Sequence, residues 1–257
     1  GIDVGMARYV RNAGGLLLFG PVTDYGRDSY DSSYTHPKVK GGSEMYTTNG
    51  YGNSHYFAAG IIARQMNTNA LGVPDGMYYE GSFRAGRVHT NFASDNFLVH
   101  NNPTHADYSA STPCFAGHVR VGWAGNIGGT SKLDAYAMYS RNRVNGFTTR
   151  LSTGEEYKFS AVNSGRIRIG ARLSRDYNIH TFYSGLAYIQ EFSGATHGEY
   201  MGRPTGRSSL RGTSGMLELG WRVKQSATSD TMFDVYANGW VGHQKGVTFT
   251  AKFRRDF

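Results

Sequence analysis

Residues 246–257 read Gly-Val-Thr-Phe-Thr-Ala-Lys-Phe-Arg-Arg-Asp-Phe. At a period of two, Val247, Phe249, Ala251, Phe253 and Phe257 fall on one face, and Thr248, Thr250, Lys252, Arg254 and Asp256 on the other. Only Arg255 breaks the alternation. Successive side chains of a strand point to opposite sides, so this is a β-strand whose two faces meet different surroundings.

Earlier segments repeat the pattern. Phe233, Val235, Ala237, Gly239 and Val241 oppose Asp234, Tyr236, Asn238 and Trp240. Leu217, Leu219, Trp221 and Val223 oppose Glu218, Gly220, Arg222 and Lys224, and Ile167, Ile169, Ala171 and Leu173 oppose Arg166, Arg168, Gly170 and Arg172. Leu133, Ala135, Ala137 and Tyr139 face away from Lys132, Asp134, Tyr136 and Met138, as do Phe115, Val119, Val121 and Trp123 from His118 and Arg120. Fainter versions near 2–11, 15–30, 52–66, 77–92 and 179–192 bring the candidate strands to eleven. Many exceed the ~9–11 residues that a tilted strand needs to cross a bilayer.

Composition agrees with an all-β reading. Mean hydropathy is −0.47 and the longest apolar run, 14–22, is far too short for a helical span of ~20 residues. The 18 Tyr and 14 Phe argue against disorder. No signal peptide opens the chain. The single cysteine, Cys114, permits neither an internal disulfide nor a cysteine pair for zinc. A net charge of +8 would ordinarily suggest nucleic acid. Here arginines and aromatics alternate onto opposite faces instead of clustering, so no nucleic-acid partner is expected.

Connection lengths alternate too. Tight turns are expected near Ser226–Ser229, Asp176–Tyr177, Gly125–Thr130 and Asn12–Gly14, and longer stretches near 194–211, 149–156, 93–106 and 32–51. Outer-membrane barrels have short periplasmic turns and longer extracellular loops. The short turn at Gly242–Gly246 and the long connection at Asn67–Asp75 do not fit. A periplasmic C-terminus then requires an outward-running strand before Gly1, twelve in all.

The terminal segment, with Val247, Phe249, Ala251, Phe253 and Phe257, resembles the β-signal read by the barrel-assembly machinery, with Arg255 as a departure. The stretches Gly165–Leu173, Tyr183–Tyr188, Glu191–Phe192, Leu217–Gly220, Glu80–Arg87 and Tyr25–Tyr30 resemble the autotransporter β-domain of type V secretion. That resemblance implies an antiparallel transmembrane β-barrel of twelve strands in the bacterial outer membrane, a helix or linker threading its lumen, and an exported N-terminal passenger. Residues 1–257 would form one N-terminally truncated translocator barrel without the lumenal helix, first strand or passenger. Implied partners are outer-membrane lipids, the barrel-assembly machinery, periplasmic chaperones and the chain's own linker. A stand-alone porin-like channel shares the architecture, as would an outer-membrane protease or phospholipase.

On this register Arg84, Arg120, Arg166, Arg168, Arg172 and Arg222 line the lumen with Glu80, Asp134, Glu191, Glu218 and Asp234. They could hold a passing segment, or pair with one another and stiffen the barrel. No catalytic, metal or cofactor site is expected. The nine histidines are scattered, and His100 and His105, with Asp95 and Asp107 nearby, read as solvated loop polarity. Gly122–Gly129 lacks phosphate-loop spacing and reads as a strand end and turn.

Overall fold

The computed structural model describes residues 1–38, 43–68, 74–200, 203–204, 208–226 and 231–255. Its strands are β1 (Ile2–Gly5), β2 (Arg8–Asn12), β3 (Gly15–Pro37), β4 (Met45–Asn67), β5 (Met77–Val99), β6 (Asn102–Gly128), β7 (Ser131–Val144), β8 (Phe147–Arg150) and β9 (Glu156–Phe159). There follow β10 (Val162–Tyr177), β11 (His180–Glu191), β12 (Ala195–Thr196), β13 (Gly198–Tyr200), β14 (Arg203–Pro204), β15 (Ser208–Ser209), β16 (Gly212–Lys224), β17 (Thr231–Gly242) and β18 (Gly246–Arg255).

One antiparallel sheet runs β1–β3–β4–β5–β6–β7–β10–β11–β16–β17–β18, with β2 pairing β3 beside β1. β1 and β2 are halves of a single edge strand, since the pairs Gly5↔Val22 and Arg8↔Phe19 continue one register. The split falls opposite Pro21, which has no N–H to give the ladder. Eleven staves therefore stand where eleven were expected. The two edges, β2 and β18, touch where the Arg254 guanidinium donates to the Tyr9 hydroxyl. Among the described residues no backbone ladder joins them.

The polar face is the concave one. Tyr78 on β5 reaches past β6 to Asp134 on β7, and Arg84 on β5 reaches past β4 to Asp24 on β3. Two inter-strand spacings amount to roughly 10 Å, which these side chains bridge because the sheet curls toward them. The convex face carries the apolar set, with Ile61, Val119, Leu186, Leu219 and Phe249 all exposed. Alternation thus survives because each face has its own surroundings.

The walls differ in height. β3, β4, β5 and β6 have 23, 23, 23 and 27 residues, whereas β11, β16 and β17 have 12, 13 and 12. The stretches 32–51 and 93–106, expected as loops, are largely strand. β5 and β6 meet at the two-residue turn His100–Asn101, where both φ angles are positive, 47° and 68°, as a tight hairpin requires. The sequence hid this because one extra residue bulges between Ser94 and Phe97 and spoils the alternation. Asn96 in the bulge binds β4 with its side chain, Nδ2 donating to the Thr47 carbonyl at 2.9 Å and Oδ1 accepting the Asn49 N–H at 2.8 Å.

Smaller differences follow from turn chemistry. The turn expected at Asp176–Tyr177 lies at 178–179, where Asn178 takes a positive φ of 54°, and Gly125–Thr130 narrows because β6 continues to Gly128. The stretch 149–156 forms a β8–β9 hairpin within a separate sheet ordered β14–β13–β9–β8. That sheet lies against the tall wall through aromatic contacts, Phe159 tilted 5.7 Å from Tyr108 and Tyr200 edge-on 6.0 Å from Phe97. Burial there pushes the Tyr157 hydroxyl up to about 12 and raises that of Tyr108 as well. Gly242–Gly246 is short, as read. Residues 227–229 of the Ser226–Ser229 turn, 69–73 of the Asn67–Asp75 connection and 201–202 and 205–207 of the 194–211 stretch lie outside the described residues.

Candidate functional site

The concave face repeats one construction twice. Tyr78 stands opposite Gly122, and Tyr183 opposite Gly220, in the ladders β5–β6 and β11–β16. A Cβ on Gly122 would lie 2.5 Å from Tyr78 Cζ, and one on Gly220 2.2 Å from Tyr183 Cζ. Each tyrosine therefore lies flat across the glycine of the next strand, and its hydroxyl reaches a carboxylate one strand further on. Tyr78 donates to Asp134 at 2.7 Å and Tyr183 to Asp234 at 2.6 Å. The same carboxylates pair with the arginines beside those glycines, Arg120 with Asp134 at 3.2 Å and Arg222 with Asp234 at 3.0 Å. Arg120 also stacks 3.9 Å from the Tyr136 ring, and Arg172 lies 4.8 Å from that of Tyr183.

Around these constellations the other expected interior charges pair in turn. Arg172 grips Glu218 with Nε and Nη2 at 2.5 and 2.9 Å. Arg166 Nε donates to Glu191 Oε2 at 3.0 Å, and Glu191 further accepts the Gly165 N–H at 2.9 Å and the Ser164 hydroxyl. Arg84 Nε lies 2.8 Å from Asp24, and Glu80 faces His118 Nε2 at 2.9 Å and Arg64 at 3.6 Å. Arg168 differs. Its Nε is buried without a hydrogen-bond partner, and its guanidinium sits 5.6 Å from the Trp240 ring. Trp240 packs on a small apolar cluster of Ala187, Ile189 and Met216.

The sequence reading had no place for Asp24, Arg64, Tyr78 or Tyr183 in this network. The available signal was a tyrosine paired with a glycine, which becomes visible only once the register between strands is known. Of the terminal residues, Val247, Phe249, Ala251 and Phe253 stand exposed along β18. Phe257 lies outside the described residues.

Two arrangements invite a chemical reading. Ser82 Oγ lies 2.7 Å from His118 Nδ1, with Glu80 on the other ring nitrogen. However, β5 is laddered on both sides across Ser82, so no free pair of backbone amides stands beside it to hold an oxyanion. His105 sits 2.7 Å from Asp95 and 3.5 Å from Asp107, all three exposed, while His100 belongs to the hairpin turn. Among the described residues no three His, Cys, Asp or Glu side chains are placed to hold a metal ion.

No sequence-family profile matches the chain, and no curated protein matches it in sequence. Solved structures do. The β domain of the Bordetella autotransporter BrkA aligns with a TM-score of 0.69 at 19% identity, over 99% of this chain and 89% of that one. The fold is that of an autotransporter β-domain. The transport unit of the autotransporter AIDA-I from Escherichia coli aligns with a TM-score of 0.61 at 9% identity, over 99% of this chain and 80% of that one. At such identities the likeness is one of fold. In this β-domain fold the charge network occupies the concave side of the sheet, and the exposed apolar side chains its convex side.

Proposed function

We propose that the chain is an outer-membrane translocator barrel that inserts through its C-terminal strand and supports export and surface anchoring of an N-terminal passenger. The observation that carries this reading is the two-faced sheet: exposed Phe, Leu, Ile and Val outside, ion pairs inside. Lipid is the environment that suits the first face and a wet interior the second. Hydrocarbon also demands that a spanning sheet satisfy its backbone internally. The fold shared with one autotransporter β domain and one autotransporter transport unit supports the transport role.

The partners that follow are outer-membrane lipids on the convex face, periplasmic chaperones before insertion, and the barrel-assembly machinery at Val247, Phe249, Ala251, Phe253 and Phe257. Inside, the passenger linker would meet the groups the network leaves over. Arg168 Nε, Asn238 Oδ1 and Trp240 Nε1 are buried without a hydrogen-bond partner.

Arg168 is the residue with which to test this, because Arg166 is tied to Glu191 and its loss would disturb the barrel itself. In cells expressing the whole reading frame, Arg168→Ala should leave the barrel resistant to unfolding in unboiled detergent samples. It should slow the appearance of protease-accessible passenger at the surface about five-fold, the worth of one hydrogen bond. A passenger that never reaches the surface in the unaltered protein would sink the export reading.

A further inference from the structure

We propose that the convex face of β6 and β7 carries a binding site for a lipid with an anionic phosphate headgroup. Phe83, Phe115, Val119, Tyr139, Arg141 and Arg143 line one depression of about 430 Å³. Its floor is open because the residue paired with Arg141 on β6 is Gly117, which has no side chain to fill it. Val119 and Tyr139 lie toward the Ser131 end of β7, both arginines lie at its Val144 end, and Phe83 and Phe115 stand level with Arg141 and Arg143. A second depression of about 740 Å³ shares Val119 and Tyr139 with the first and continues among Val121, Ala137, Ile167 and Ile169. The surface thus offers a long apolar trough capped by two cations, the outline of a diacyl chain pair below a phosphate.

Charge complementarity fixes the headgroup's sign. Arg141 and Arg143 are exposed, and neither has a carboxylate within ion-pairing distance among the described residues. Arg143 is held in place by its Nε donating to Asn145 Oδ1 at 2.9 Å. Arg87 lies just beyond the trough on the same face, its Nε on the Ser111 hydroxyl at 3.2 Å, again without a carboxylate. Arg141 follows the strand's Ser131 start by ten residues, which for a tilted strand corresponds to roughly 25 Å, the height of the apolar band of such barrels. The cations therefore stand where lipid tails give way to headgroups, and an arginine fork suits a phosphate better than any neutral group.

This site rests on the reading of the convex face as lipid-facing and adds a headgroup preference to it. The test is native mass spectrometry of the folded barrel in detergent, titrated with dioleoyl phosphatidic acid, dioleoylglycerol or inorganic phosphate. The unaltered protein should retain phosphatidic acid, and R141Q/R143Q should bind it about 30-fold more weakly. R11Q/R175Q, which removes the same charge near the opposite end, should bind as the unaltered protein does. Heat-modifiable mobility of both variants reports that the barrel is folded. Equal retention of dioleoylglycerol, equal loss in both double variants, saturation by inorganic phosphate at the same concentration, or a dimer that R141Q/R143Q abolishes would each overturn the site. A folded barrel that inserts in lipid but shows no headgroup preference overturns the site alone; a chain that fails to insert overturns the membrane reading beneath it.

Discussion

Arg172, on the concave face of β10, and Arg141, on the convex face of neighbouring β7, belong to paired strands. The first has Nε and Nη2 on Glu218; the second touches no carboxylate among the described residues. The same division holds for Arg84, Arg120, Arg166 and Arg222 against Arg87 and Arg143. A guanidinium turned inward loses much of its water and is compensated by the chain, Arg168 with only the Trp240 ring being the exception, whereas one turned outward is compensated by whatever surrounds the protein. Face, more than residue type, decides what an arginine does here.

The largest test of that contrast is Arg172→Ala, which strands the buried Glu218 carboxylate. It should cost about 3 kcal/mol, seen as a lower temperature for loss of the fast-migrating folded band, while Arg141→Ala should cost less than about 0.5 kcal/mol. Equal effects would break the comparison. A smaller effect is expected from Gly220→Val, whose Cβ would drive Tyr183 off its seat and away from Asp234, at about 2 kcal/mol in the same assay. Gly239→Val should be near neutral, since a Cβ there meets nothing within 4 Å. Below Gly220→Val comes Tyr183→Phe, which keeps the ring over Gly220 but removes the hydroxyl from Asp234, at about 1.5 kcal/mol by the same measurement. A neutral Tyr183→Phe would mean that Arg222 alone satisfies that carboxylate.

The faces of β10, β16, β17 and β18 were legible in the sequence because a period of two needs no knowledge of the partner strand. Pairing within the interior was not. Whether Arg166 finds Glu191 and Arg168 finds only Trp240 depends on register across several strands, and the two arginines look alike in a one-dimensional pattern. The sequence reading of β7 stopped at Tyr139, so Arg141 and Arg143, which continue its apolar face as charges, went unread. The tall wall was obscured for a different reason: the bulge at Asp95 and Asn96 breaks the alternation where the strand itself does not stop.

The strict chain order of the main sheet has a kinetic consequence. Each of its ladders joins strands that follow one another along the chain, the small loop strands aside, so every stave can add to its predecessor by closing a short hairpin or loop at little entropic cost. The link from Arg254 to Tyr9 is the exception, spanning 245 residues. Growth can therefore proceed as a zipper with a low barrier at each step, and bringing β2 and β18 together is the one event for which every strand between them must already be in place.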